Sequence, residues 1–368
     1  YQFNVKSFDR IEDFGIEKRS LYAHSTFGKF LLKVKVSVSL VLLPKSGKFF
    51  KKNIFEGCRY PDIIDLFNPE DCSIIEGWHA FPTVIKKRQG FIWGGGIIAA
   101  FEIAMHLGDY TFLNRIIDRL NLWNIDQKEM FLYLYEDTQP LGIVLSSVFF
   151  NSKNIHTICI AHGYFPDTDS KLKYEGNNSN YNFVWSLSQA KFFNKDVNVT
   201  LLGLPYEYSM AKILNKNRII LLGHSGEGTN MFEYLLTYFH MFFVYNLLKR
   251  EGYQVIFKPH PQDDKAYAAR IFKNNTCPDL HQEIRKGSIF LGFISSALYE
   301  AKAHGLYTIG MDTGLMPYKR SFKVDKAFKF SEYKNIPKYI KSLPMERGRK
   351  TEPDRLKERF YRALSVIN

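Results

Sequence analysis

Cysteine is scarce and scattered. Cys58, Cys72, Cys159 and Cys277 are the only four in 368 residues, and no two form a Cys-x-x-Cys pair. That spacing excludes a zinc-finger type of site and a disulfide framework, and it fits a reducing compartment. The Asn-x-Ser/Thr triplets at Asn177, Asn198 and Asn274 then read as chance matches. Long apolar runs are absent too. The longest, Phe30 to Leu43, is interrupted by Lys33 and Lys35 and is too short to span a bilayer. Within it Val34, Val36, Val38 and Leu40 alternate with Lys33, Lys35, Ser37 and Ser39, which predicts a strand with one wet face. No secretory signal is legible from Tyr1 onward, so a cytoplasmic location is expected. Internal repeats and low-complexity segments are also missing.

Negative charge is in short supply. Against 50 Lys and Arg stand 37 Asp and Glu, a formal net charge of +13. Such an excess favours a polyanionic partner. Basic residues cluster at Lys45 to Lys52, Lys86 to Arg88 and Lys319 to Lys329. The chain lacks a helix-turn-helix signature, zinc-finger spacing and RNP aromatics, so nucleic acid is not the expected polyanion.

What is plentiful is ordinary core material with an aromatic bias. Hydrophobic residues make up 45% and aromatics 16%, with 32 Phe and 22 Tyr. The length suits two domains, each with its own core. Apolar strands are expected at Gly90 to Trp93, Phe131 to Tyr135, Thr157 to Ala161, Asn182 to Trp185 and Val197 to Gly203. Helices are expected at Ile97 to Leu107 and Thr111 to Leu122. After a linker at Leu204 to Lys216, the pattern predicts strands at Arg218 to Leu222, Tyr253 to Phe257, Ser288 to Ile294 and Tyr307 to Gly310. Between them come a long helix ending near Arg250 and a helix at Ser295 to His304. Alternation at this spacing means parallel sheets with right-handed crossovers. The expected fold is α/β: two doubly wound, Rossmann-like domains of the GT-B kind facing across a cleft. The expected division is residues 1–204 and 205–368, with the amphipathic stretch Pro353 to Leu364 closing the second domain.

Ligands of open parallel sheets bind at the carboxyl ends of strands. Glu136, Asp137, His162, Glu227, His260, Ser295 and Ser296 all fall at such ends. In Lys258-Pro259-His260-Pro261, prolines on both sides restrict the backbone and present an imidazole and an ammonium suited to phosphate. Ser295-Ser296 opens a helix, where unpaired amides and hydroxyls can hold phosphate oxygens or simply cap the helix. Glu300 in that helix either reaches a ribose hydroxyl or faces solvent. Gly226-Glu227-Gly228 offers Glu227 as an alternative acid or base. Gly94-Gly95-Gly96 is a tight turn or a point of close approach to a ligand, and neither glycine loop matches a Walker or Rossmann fingerprint.

An acidic pair, a His-Pro element and a Ser-Ser helix start, here Glu136-Asp137, His260-Pro261 and Ser295-Ser296, resemble the motifs of bacterial sialyltransferases. Among these the chain is most similar to the capsular polysialyltransferases. The acidic pair is followed by Thr138 where that family has Gly. The resemblance implies transfer from CMP-sialic acid with inversion, no metal and no cofactor, an acidic residue as base, and CMP held by the His-Pro and Ser-Ser elements. His260 would donate a proton to the leaving phosphate. It also implies an anionic polysaccharide acceptor, peripheral association with the cytoplasmic face of the inner membrane, and contact with capsule assembly proteins. A second resemblance joins Ala161-His162-Gly163 and Lys258-Pro259-His260-Pro261 to CDP-glycerol glycerophosphotransferases, in which His162 would be the base. Kdo transferases share a Pro-His-Pro-like element.

Overall fold

The computed structural model describes residues 25–44, 51–58, 60–77, 81–125, 129–135, 139–161, 178–186, 189–190, 193, 197–205, 214–223, 231–260, 265–273, 275–277, 279–293, 295–312, 324–344 and 355–367. Short apolar strands alternating with helices make two units. The first contains, in chain order, α1 (Thr26–Leu42), β1 (Asn53–Glu56), α2 (Pro61–Ile64), β2 (Cys72–Glu76), α3 (Phe81–Lys86), β3 (Gly90–Trp93), α4 (Gly95–Leu107), α5 (Thr111–Asn121), β4 (Met130–Leu134), α6 (Pro140–Phe149), β5 (Ile155–Ile160), β6 (Tyr181–Val184) and β7 (Asn198–Leu201). The second contains β8 (Arg218–Leu222), α7 (Met231–Arg250), β9 (Gln254–Lys258), α8 (Lys265–Ile271), α9 (Leu280–Arg285), β10 (Ile289–Gly292), α10 (Ser296–Ala303), β11 (Thr308–Asp312), β12 (Lys326–Lys329) and α11 (Ile336–Ser342). The final helix, α12 (Leu356–Leu364), returns to the first unit.

The first sheet has seven strands in the order β3-β2-β1-β4-β5-β6-β7, all paired in parallel. Both of its faces are buried, so its central strands read as continuous apolar runs. Alternate residues serve opposite cores. Ile54, Ile75, Leu132 and Leu134 pack with α1, α4, α5 and α6. Phe55, Ile74, Phe131 and Tyr133 pack on the other side. The second sheet has five parallel strands in the order β12-β11-β10-β8-β9 around one continuous core.

Two expectations meet a different outcome. Residues 30–43 are helical, not a strand. Ser25 caps α1 by accepting the Gly28 amide at 2.9 Å, and Leu32, Val36, Ser39 and Leu43 turn one helical face into the core. The period of two arises because the other valines, Val34 and Val38, lie on a second, exposed apolar face. Tertiary packing overrides the strand preference of β-branched residues. The three-glycine run makes this packing possible: a Cβ on Gly96 would collide with the Ser39 side chain at 2.1–2.2 Å. Gly94 makes the expected turn, and Gly96 allows the close helix approach.

The closing helix also differs in place. Leu356, Phe360 and Ala363, on one face of α12, enter the core of the first unit, where the Phe360 ring lies edge-on to Phe67 and Phe183. Arg359 donates to the carbonyls of Leu202 and Leu204 at 2.9 and 2.6 Å, pinning the chain beyond β7. An amphipathic face reports that a helix packs, but not on which sheet. Among the described residues no helix is long and apolar enough to cross a membrane.

Where β8 begins, the second sheet is held by a buried ion pair. The Arg218 guanidinium donates to both Glu283 carboxylate oxygens, at 2.6 and 2.8 Å, and Lys286 donates to the same carboxylate at 2.9 Å.

Candidate functional site

Topology singles out one place on each sheet. In the second unit β8 connects onward to β9 on one side, while the adjacent β10 connects onward to β11 on the other. A crevice opens at the carboxyl ends where neighbouring strands send their connections in opposite directions. Gly292 ends β10 at that point, and a Cβ there would press on Leu222 of β8 at 3.0 Å.

The residues bordering this crevice are those singled out by their motifs. Ser295 is extended, with φ −158° and ψ 130°, and its hydroxyl accepts the Ala297 amide at 3.3 Å. It is therefore an N-cap, and the O–H remains able to donate to a phosphate oxygen. Ser296 is half-buried at the first turn of α10. Glu300 is buried, which removes the solvent-facing alternative.

Lys258 and His260 follow the same edge on β9, next to β8. Gly223 donates to the Lys258 carbonyl at 2.8 Å, extending the pairing to the end of the strand. The Lys258 ammonium donates to the Pro259 carbonyl at 3.0 Å, and His260 is half-buried. One strand, β8, separates the two motifs. With about 4.8 Å between neighbouring strands, the ends of β9 and β10 are set roughly 10 Å apart. Pro261 and Glu227 lie outside the described residues.

Beneath this edge is a histidine the motifs did not flag. His240 of α7 is buried, and burial lowers its pKa below the ordinary value. Its Nδ1 lies 3.3 Å from the Tyr333 hydroxyl, and its ring stands against Phe293, the residue after β10. Burial, with the Asp312 carboxylate, pushes the Tyr333 hydroxyl well up. The pair is neutral and supports the strand end by packing.

In the first unit the same topological rule points between β1 and β4, which connect onward to β2 and β5 on opposite sides. The β1 carboxylate Glu56 accepts the Tyr135 amide at 2.9 Å, across the mouth of that crevice. Glu136 and Asp137 come next in the chain and lie outside the described residues. A second clamp holds the end of β5. The Ala161 carbonyl accepts from the Tyr60 hydroxyl and from Trp185 Nε1, both at 2.8 Å, using both of its lone pairs. His162, the next residue, is likewise outside the described residues. Glu56, Tyr60 and Trp185 were not read as site residues. Only the strand β1, itself missed, would have pointed to Glu56.

Cysteine chemistry does not fit here. Burial raises the thiol pKa of Cys58 and Cys277, and burial with nearby carboxylates pushes Cys72 up to about 12. All three are protonated thiols at neutral pH and poor nucleophiles.

Two parallel-sheet α/β units of this kind are those of a GT-B fold. Among solved structures the chain is similar to the UDP-GlcNAc 2-epimerase of Methanocaldococcus jannaschii, crystallised in complex with UDP-GlcNAc and UDP. The TM-score is 0.51 at 12% identity, over 86% of this chain and 100% of that one. A Glycosylation Associate Protein (Gap123) complex from Streptococcus agalactiae aligns with a TM-score of 0.35 at 12% identity, over 69% of this chain and 55% of that one, and carries no argument. No protein-family model matches the chain, and no curated protein matches it.

Proposed function

We propose that the protein transfers sialic acid from CMP-sialic acid to the end of a growing polysialic acid chain, with inversion. The observation that carries this reading is the pair of motifs, His260 and Ser295-Ser296, bracketing the switch-point crevice of the second sheet. The epimerase of similar fold holds a nucleotide sugar, which supports the coarser part of the reading. In the proposed reaction Glu136, aided by Asp137, removes the proton from the acceptor hydroxyl. His260, Lys258 and the α10 start stabilise the charge that gathers on the departing CMP phosphate. The net charge of +13 suits an acceptor that carries a carboxylate on every residue.

The test is a donor screen of CMP-sialic acid, CMP-Kdo and CDP-glycerol, read as released CMP. Alongside it, CMP is expected to raise the melting temperature more than UMP or AMP. At 100 times its dissociation constant it adds about 2.7 kcal/mol. Equal shifts from all three nucleotides would remove the cytidine assignment.

His260→Ala and Ser296→Ala are each expected to weaken CMP binding by roughly 1.5–3 kcal/mol, the worth of a bond to a charged group. Ser295→Ala is expected to cost about 1 kcal/mol of stability as well, because it removes a cap. Isothermal titration together with melting curves separates the two effects. Unchanged CMP affinity in all three variants would leave the crevice without its phosphate.

A second reading rests on the doubly bonded Ala161 carbonyl, which fixes the backbone directly before His162. It makes His162 the base of a CDP-glycerol glycerophosphotransferase-like reaction, with turnover of CDP-glycerol in the same screen.

A further inference from the structure

Helix α1 has two apolar faces. One is buried against α4 through Leu32, Val36 and Ser39. The other stands in water: Phe27, Phe30 and Val41 are 68%, 61% and 79% exposed, and Val34, Val38 and Leu42 are exposed with them. Steps of three and four residues from Phe27 to Phe30, Val34, Val38 and Val41 keep these side chains on a single stripe. Lys33 and Lys35 are exposed on opposite flanks of it, and α1 contains three lysines and no Asp or Glu. The Lys33 ammonium lies over the Phe112 ring, 5.9 Å from its centre. Soluble monomers rarely leave so continuous an apolar face open to solvent.

We propose that this face of α1 docks on an anionic lipid bilayer. The helix lies in the interface plane, with Phe27, Phe30, Val34, Val38 and Val41 in the acyl boundary and the lysine ammoniums at the level of the phosphates. A second copy of the chain fits less well. Two-fold pairing through this stripe would set lysines against lysines, with no carboxylate on the helix to receive them. Insertion across the bilayer is ruled out for α1 by its opposite face, which belongs to the protein core. The proposal is independent of which sugar is transferred, and its test involves no nucleotide.

The experiment is co-sedimentation of the full chain with vesicles of phosphatidylcholine alone, and with vesicles in which a third of that lipid is replaced by phosphatidylglycerol. Binding is expected to the mixed vesicles and to be at least about 25-fold weaker to the neutral ones, which offer the lysines no anionic phosphate excess. Phe30→Asp with Val41→Asp should lower partitioning more than about tenfold, since charge replaces inserted apolar surface. Lys33→Gln with Lys35→Gln should lower it about 25-fold on the anionic vesicles only, near fivefold for each lysine. Unchanged circular-dichroism melting curves would show that the variants fold. Phe30→Ser with Val41→Ser replaces the aspartate pair if that pair fails to fold. Two results would overturn the proposal: equal binding by the apolar-face variants, or no binding of the full chain to either vesicle, in which case a dimer in light scattering that those variants split would name a second copy as the occupant.

Discussion

In the proposed reaction, Glu136→Gln is expected to lower the rate of sialyl transfer by about 10²–10⁴-fold, the usual worth of a general base, while CMP still stabilises the protein against heat. Glutamine keeps the volume and the acceptor oxygen of glutamate but cannot take a proton. The fold of the first unit places the residue directly before Glu136. Strand β4 reaches its topological switch point at Tyr135, and the Tyr135 amide is tied to Glu56 of β1. The next side chain in the sequence is Glu136. His162→Ala should act more mildly. CMP release from CMP-sialic acid, measured with and without a polysialic acid acceptor, checks both variants. A dead His162→Ala beside an active Glu136→Gln would hand the reaction to the glycerophosphotransferase-like reading.

Glu283→Ala is expected to destabilise the second unit by about 3–5 kcal/mol, the scale for removing one partner of a buried ion pair. The loss comes chiefly from Arg218, left half-committed to a carboxylate that is gone, and Lys286 contributes less because it is half-exposed. Replacing the pair by Arg218→Met with Glu283→Leu should recover most of the loss, since well-packed apolar groups carry no such desolvation cost. The pH dependence has a definite sign. Burial alone would raise the Glu283 carboxyl, but the bonds and charges of Arg218 and Lys286 hold it below its ordinary value of 4.5. Its contribution is therefore complete above pH 4.5 and is lost as the pH falls through the folded-state value. Urea unfolding of wild type and Glu283→Ala at falling pH should give curves that converge in acid. A gap that stays constant or widens would show that the carboxylate is not the group responsible.

The second unit was the more legible half. Strands β8, β9 and β10 are short apolar runs ended by glycine, proline or serine, and their bounds fall within two residues of those expected. A buried parallel strand has both faces in core, so composition alone reveals it, and the breaker at its end coincides with the ligand edge. Strands β1 and β2 escaped because Asn53-Ile54-Phe55-Glu56 and Cys72-Ser73-Ile74-Ile75-Glu76 mix polar residues into very short runs. Without them neither Glu56 nor the switch point of the first sheet could be located. Helix α1 was misread for the opposite reason. Two apolar faces on one helix, set against lysines and serines, imitate the alternation of a strand over a few residues.

Local chemistry in the chain was enough to determine that parallel α/β units would form, where most strands of the second sheet end, and which side chains arrive at those ends. Strand order was left to tertiary structure, because the hydrogen bonds that pair β10 with β8, or β1 with β4, join segments far apart in the sequence. That order alone makes His260 and Ser295 neighbours across a single strand, and it brings Glu56 to the Tyr135 amide. The last helix likewise returns to the first unit, where Leu356, Phe360 and Ala363 are buried, and nothing within Leu356–Leu364 names that unit. An apolar stripe specifies that it must be covered, and only the assembled fold decides by what.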